Sequence, residues 1–327
     1  MNVLYSSDEN YAKYAMVSIC SLLENNLDVD ILRIYYIEDG LSESSKTKLR
    51  SIAQQFKREI VFIKASGIDI SFIRMTSFSP AGYYRLMVSD FIHEDKVLYL
   101  DCDTIVLGSL RELWETPIDD KLLAGVKDTV EDFMATSIGL KNNSCYINSG
   151  VMLYNLKKMR EICFPEKVKD CFKLFCGYVP HHDQGVVNSL ANNEILYLPP
   201  KYNLMSQYII FSEKQLRKLF SIEYLYDQEQ IDEARENPTI VHFLNKFYGR
   251  PWEEKCENPF LSAFNEFAKR NGIHIALVHK KANAKNIRIL IRKGLYKILP
   301  FYLYCFIERV LYYPRRRKFK SIYKMQK

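Results

Sequence analysis

The stretch Lys96-Val97-Leu98-Tyr99-Leu100-Asp101-Cys102-Asp103 decides how this chain is read. Lys96–Leu100 predicts a short buried strand, and two carboxylates stand one residue apart where that strand should end. Alternation along an extended chain turns Asp101 and Asp103 to the same side. Two convergent carboxylates offer hard oxygen ligands to a divalent cation that also binds phosphates. An acidic pair in a solvated turn is spelled the same way, so the surrounding sequence has to choose between the two.

Working outward, strand-like and helix-like segments alternate. Asn2–Ser6 is a short apolar run, and Tyr11–Glu24 is a helix that is apolar on most faces. Ile31–Ile37 is a second strand. Ser42 can cap the next helix, where Leu49, Ile52, Ala53 and Phe56 recur at helical spacing. Glu59–Lys64 is a third strand and Lys96–Leu100 a fourth. This rhythm predicts an α/β fold with a mostly parallel sheet and helices on both faces. Ligands in such sheets sit beyond the carboxyl ends of the strands, so the loops at Asp8 and Asp101 open on one crevice. Further strands are expected at Leu122–Val126, Ile147–Tyr154, Ile195–Leu198 and Thr239–Phe243.

The chain of 327 residues can bury a full core, and its 48% hydrophobic and 26% charged content describes a folded protein rather than a disordered one. The first eight residues lack the basic and apolar regions of an export signal, which predicts a cytoplasmic protein. Eight scattered cysteines without a C-x-x-C fit free thiols in a reducing compartment. The net charge of +7 belongs to the tail: residues 280–327 carry 15 Lys/Arg and only Glu308 as an acid, leaving the preceding 279 residues with 31 Lys/Arg and 38 Asp/Glu. A local anionic partner follows from that asymmetry.

Several segments together, in one order, resemble glycosyltransferase family 8, the retaining enzymes that use nucleotide sugars. They are Tyr5-Ser6-Ser7-Asp8-Glu9-Asn10-Tyr11, Tyr83-Tyr84-Arg85-Leu86, the Asp101-Cys102-Asp103 stretch, Ile147-Asn148-Ser149-Gly150-Val151, His182-Asp183-Gln184-Gly185, and His242 followed by Gly249-Arg250-Pro251-Trp252. The resemblance covers residues 1–260 and is greatest to the bacterial lipopolysaccharide and lipooligosaccharide members. It implies a GT-A type nucleotide-binding fold, a UDP-hexose donor and a manganese-dependent site. It places Ser6, Asp8, Asn10, Tyr11, Arg85, Asp101, Cys102, Asn148, Asp183, Gln184, Lys246, Gly249 and Arg250 on the donor, with Asp183 and Gln184 nearest the reacting carbon.

Residue chemistry leaves alternatives open. Asp8 can accept from a uracil N–H and Tyr11 can stack on a base, yet Asp8 and Asn10 also suit a helix N-cap. Arg85, in an apolar segment, needs an acceptor, whether a structural carboxylate or a donor phosphate. Asn148 is a bulge filler or an amide for sugar hydroxyls. Asp183 is a charge favoured by a helix dipole or a sugar ligand. His242 is a core histidine or the third ligand beside Asp101 and Asp103. Two carboxylates and one imidazole suit Mn²⁺ better than Mg²⁺. The family spells the last segment H-x-x-G-x-x-K-P-W. Here the loop is two residues longer, Asn245 stands at the glycine's offset, and Arg250 replaces lysine, with Lys246 a rival for the cationic role. His181 and His182 are expected at the surface or behind the site, without a role in the chemistry, and Asp119, Asp120 and Asp128 read as solvated turn charges.

No carboxylate pair suited to a double displacement is evident, so retention is expected to proceed by front-face attack, with the Gln184 carbonyl shielding an oxocarbenium-like centre. We expect residues 1–265 to be the catalytic domain and 266–327 a basic, aromatic C-terminal helical tail. The uncharged stretch Ile298–Ile307, interrupted by Pro300, is too short to span a bilayer. With Arg315-Arg316-Arg317-Lys318 behind it, it suits an anionic membrane surface on the inner face of the cell membrane, and thus a lipid-linked glycan acceptor. The alternative is that its aromatics pack on the catalytic domain or on an oligomer partner. No nucleic-acid recognition module is visible.

Overall fold

The computed structural model describes residues 1–141, 144–245, 247–278, 291 and 294–311. Lys246 and the Arg315–Lys318 cluster lie outside the described residues. The strands are β1 (Asn2–Asp8), β2 (Arg33–Asp39), β3 (Glu59–Lys64), β4 (Lys96–Leu100), β5 (Thr104–Val106), β6 (Leu123–Lys127), β7 (Ile147–Asn155), β8 (Ile195–Tyr197), β9 (Leu204–Met205) and β10 (Ile240–His242). The large sheet runs β3-β2-β1-β4-β7-β6-β8 and a small one β5-β10-β9.

β1, β2 and β3 are parallel, linked by the helices α1 (Glu9–Glu24) and α2 (Glu43–Gln55). β4 then pairs parallel with the other side of β1, Leu4 opposite Tyr99. The strand order therefore reverses between β1 and β4, and their carboxyl ends, Asp8 and Asp101, flank that switch point. Ligands of open α/β sheets bind at such a crevice. β7 is antiparallel to both β4 and β6, so the sheet is mostly but not wholly parallel.

Alternation explains why these runs are strands. Val3, Tyr5, Leu98 and Leu100 pack on one face, in a cluster with α1. Leu4, Val97 and Tyr99 pack on the other, with Tyr83, Phe172 and Val186. A strand buried on both faces reads as a continuous apolar run. α1 lies between the sheets, which explains its lack of a polar face. Its buried Ser18 bonds Tyr5 and Thr104 (both 3.0 Å), and Ser21 Oγ accepts from the N–H of Val106 at 2.9 Å.

Near the C-terminus the apolar tail divides. Tyr304 and Cys305 are buried in the main core, and Tyr296 and Phe301 pack against Phe211. Ile298, Tyr302, Phe306 and Val310, four residues apart, are exposed. Among the described residues no helix is long and apolar enough to cross a membrane.

Candidate active site

The backbone brings the acidic pair to its partner. β4 ends at Leu100, and residues 101–103 turn rather than continue extended. The two carboxylates converge because of this turn, not by the strand alternation expected from the sequence. β10 runs antiparallel to β5 with His242 opposite Thr104, and the N–H of Phe243 donates to the Asp103 carbonyl at 2.8 Å. The imidazole Nε2 thus stands 3.2 Å from Asp103 Oδ1 and 3.7 Å from Asp101 Oδ2. One ligand atom from each of the three side chains lies within 4.8 Å of the others. On β7, Gly150 makes the approach feasible: a Cβ there would meet His242 Cε1 at 2.2 Å and Asp101 Oδ2 at 2.8 Å. Two oxygens and one nitrogen, buried or half-buried and converging, fit a divalent transition-metal ion.

Electrostatics favour the charged forms of Asp103 and His242. Burial alone would raise the Asp103 carboxyl, but Arg250 and His242 outweigh it and hold it well below the ordinary carboxylate value. Burial lowers His242, and Asp103 and Asp101 more than compensate, so its pKa is raised. Arg250 spans the mouth, bonded to Asp103 and, at 2.8 Å, to the hydroxyl of Tyr11.

A second set lines the same cavity of about 560 Å³ and touches the triad. Arg85 is buried and clamped: one terminal nitrogen donates to Asp101 Oδ1 (2.8 Å) and the Ser149 carbonyl (2.9 Å), and the other bonds Asp183. Its guanidinium lies 4.3 Å from the Tyr99 ring centroid, and its buried Nε has no partner among the described residues. Arg85 therefore ties the Asp101 carboxylate to the Asp183 carboxylate. Asp183 and Gln184 open the helix His182–Ala191. Gln184 Oε1 accepts from the N–H of Ser149 and from Asn148 Nδ2, both 3.2 Å, and its Nε2 donates to Asp128 Oδ2 at 3.0 Å.

Ser6, Asp8, Tyr11, Cys102 and Asn148 also line this cavity with Arg85, Asp183, Gln184, Arg250 and the triad. Asp8 caps α1, accepting from the N–H of Tyr11 at 3.1 Å, and keeps its second oxygen near Ser79 Oγ, 3.3 Å away. Burial pushes the Cys102 thiol well above its ordinary pKa, which makes it an inert wall group. Asn10 is exposed on α1 and Gly249 turns behind Arg250 with φ +78°; neither lines the cavity.

One expectation needs correction. Asp128 is not a solvated turn charge: it accepts from Gln184, Gln207 (3.1 Å) and the N–H of Thr129 (2.7 Å). His181 lines the cavity and bonds the Tyr146 hydroxyl at 3.1 Å. His182 stacks on Phe78, and both histidines take a left-handed backbone, φ +65° and +56°, a region sparsely populated by residues other than glycine. The sequence reading also passed over Asn203, wholly buried beside His242.

The family model described as "Glycosyl transferase family 8" matches residues 2–256. General stress protein A of Bacillus subtilis is 26% identical over 266 residues, 80% of this chain and 90% of that protein. A lipopolysaccharide 1,2-glucosyltransferase of Escherichia coli K12 is 29% identical over 288 residues, covering 83% and 84%. The crystal structure of the galactosyltransferase LgtC with donor and acceptor sugar analogs superposes with a TM-score of 0.68 at 24% identity, over 88% of this chain and 99% of that one. That likeness shows a GT-A fold. With the family model spanning the strands, the triad and the loop of Arg250, the chain belongs to glycosyltransferase family 8 and is a glycosyltransferase.

Proposed function

We propose that the protein is a Mn²⁺-dependent retaining hexosyltransferase that moves galactose or glucose from a UDP-sugar to a surface glycan of the lipopolysaccharide type. The observation that carries this reading is the convergence of Asp101, Asp103 and His242 at the strand-order switch point, in one cavity with Asp183 and Gln184. The named E. coli relative supports the acceptor class.

In this reading Asp101, Asp103 and His242 hold the ion, which would neutralise charge on the departing diphosphate. Arg250, and Lys246 if it reaches the site, adds a cation to the same phosphates; arginine can do so through two parallel hydrogen bonds. Asp8 and Tyr11 receive the nucleoside. Asn148 and Asp183 hold sugar hydroxyls. Gln184 presents a neutral amide to the reacting face. Asp183 accepts from Arg85 and from Ser149 Oγ (3.1 Å) through Oδ2, which leaves Oδ1 to a sugar hydroxyl; retention in this reading proceeds by front-face attack.

Residues 1–265 form the catalytic domain in this proposal, and residues 266–327 bring it to an anionic membrane on the cytoplasmic side. The exposed stripe of Ile298, Tyr302, Phe306 and Val310 supports this, because such a face buries in the headgroup region. Truncation after residue 311 should lower binding to anionic vesicles. Truncation near 280 also removes the buried Tyr304 and Cys305 and should cost stability.

The deciding experiment is UDP release from a panel of UDP-sugars with Mn²⁺, with and without a lipopolysaccharide acceptor. Acceptor-stimulated, EDTA-sensitive UDP release from UDP-galactose or UDP-glucose is expected. Pyrophosphate release, or no turnover with donor bound, would overturn the proposal.

A further inference from the structure

A histidine can ligate a cation only through a nitrogen that carries no proton, so the tautomer of His242 matters. The surrounding hydrogen bonds determine it, starting from Gly150. Its backbone N–H donates to the side chain of Asn148 at 2.9 Å. A backbone N–H can only donate, so the Asn148 atom it meets is Oδ1. Asn203 approaches that same oxygen at 3.0 Å and must present its Nδ2. Its Oδ1 is thereby turned to Nδ1 of His242, also at 3.0 Å. An amide oxygen only accepts, so Nδ1 bears the hydrogen. Nε2 is left facing Asp103 Oδ1 and Asp101 Oδ2.

The same run continues the other way. Asn148 Nδ2 donates toward Gln184 Oε1 and Asp128 Oδ2, at 3.2 and 3.3 Å. Gln184 is itself held in one orientation, since the Ser149 N–H can meet only its oxygen and the Asp128 carboxylate only its nitrogen. A continuous series of side chains thus joins His242 to Gln184 through Asn203 and Asn148. Asn203 is fully buried and Asn148 is 5% exposed, so each amide end would be costly to leave unpaired.

We propose that Asn203 is a positioning residue with two roles. It fixes the ring and the tautomer of His242 so that Nε2 faces the two carboxylates. Through Asn148, it also joins the cation site to Gln184 on the sugar side. The proposal rests on the reading of Asp101, Asp103 and His242 as the cation site. Outer partners of ligating histidines act in this way, and losing one costs about 10–100-fold in metal affinity.

The test measures Mn²⁺ binding without nucleotide, by the electron paramagnetic resonance signal of free Mn²⁺, in wild type, N203L, N203D and H242A. N203L removes both amide ends at similar volume and should weaken Mn²⁺ by about 10–100-fold. N203D keeps an acceptor for Nδ1–H and should hold Mn²⁺ within a few fold of wild type. It sets a carboxylate oxygen against Asn148 Oδ1, so kcat should fall while KM for the donor holds. ¹⁵N resonances of His242 in the wild-type protein with Mg²⁺ should show protonated Nδ1. The opposite tautomer would overturn the proposal whether or not N203L folds. So would wild-type Mn²⁺ affinity in N203L, or equal losses in N203D and N203L. Undiminished binding by H242A would instead overturn the cation-site reading itself.

Discussion

Arg250 and Asp103 form an ion pair across the mouth of the cavity, with Nε and a terminal guanidinium nitrogen each 3.0 Å from Asp103 Oδ2. The family spelling has lysine at this place, and a single ammonium cannot hold one carboxylate oxygen and the Tyr11 hydroxyl with a rigid fork. R250Q leaves a buried carboxylate with His242 as its remaining cation. It should lose about 2–3 kcal/mol of stability in EDTA, and Mn²⁺ should restore more of the melting temperature than it adds to wild type. R250K should fall between the two. Thermal unfolding with and without Mn²⁺ measures this; equal Mn²⁺ shifts in all three proteins would contradict it.

Gly150 sets a steric condition on the site. G150A places a methyl group against His242 Cε1 and Asp101 Oδ2, on side chains pinned by Asn203 and by Arg85 and Tyr99. We expect Mn²⁺ binding to drop by more than tenfold. G67A, where an added Cβ meets nothing within 4 Å, should bind as wild type. Calorimetric titration of both variants decides it.

Much of this was legible in the sequence. β4 announced itself because Val97, Leu98, Tyr99 and Leu100 are all buried, and residues 59–64 and 96–100 have the strand bounds expected. β5 and β9, at three and two residues, carry too little pattern to read. The triad was reached through the family's order of motifs; a histidine on an apolar strand does not declare a ligand. Asn203 and Asp128 stayed hidden because their partners lie far along the chain: 39 residues separate His242 from Asn203, and 56 separate Asp128 from Gln184. Single polar residues at strand ends carry no periodicity to mark them. Asn10 is exposed at the start of α1 and does not line the cavity that its neighbours Asp8 and Tyr11 line.

Asp128 receives donors on both oxygens, from Gln184 on one and from Gln207 and Thr129 on the other. An asparagine offers one acceptor oxygen, so D128N must abandon one side. Loosening Gln184 should lower kcat about ten- to hundredfold, the scale of a misplaced reacting group, with KM for the UDP-sugar little changed. A rise in KM alone would assign Asp128 to binding instead.

Glu9 pins the start of α1 to α2. Its carboxylate accepts from the N–H of Ser42 (2.9 Å) and the hydroxyls of Ser42 (2.9 Å) and Ser45 (2.8 Å). Burial would raise its pKa, but these bonds outweigh it and lower it. A depressed folded-state pKa adds stability above the unfolded value, about 4.3, and loses it as pH falls through the folded value. E9Q should therefore melt below wild type at pH 7, and the gap should close in more acidic buffer. A gap independent of pH would contradict this.

The most direct test of the whole account is anomalous scattering at the manganese edge from crystals grown with Mn²⁺ and UDP. A single peak bounded by Asp101, Asp103 and the Nε2 of His242, in contact with the diphosphate, is predicted. A peak away from His242, or UDP bound at full occupancy with no manganese beside these three side chains, would contradict it.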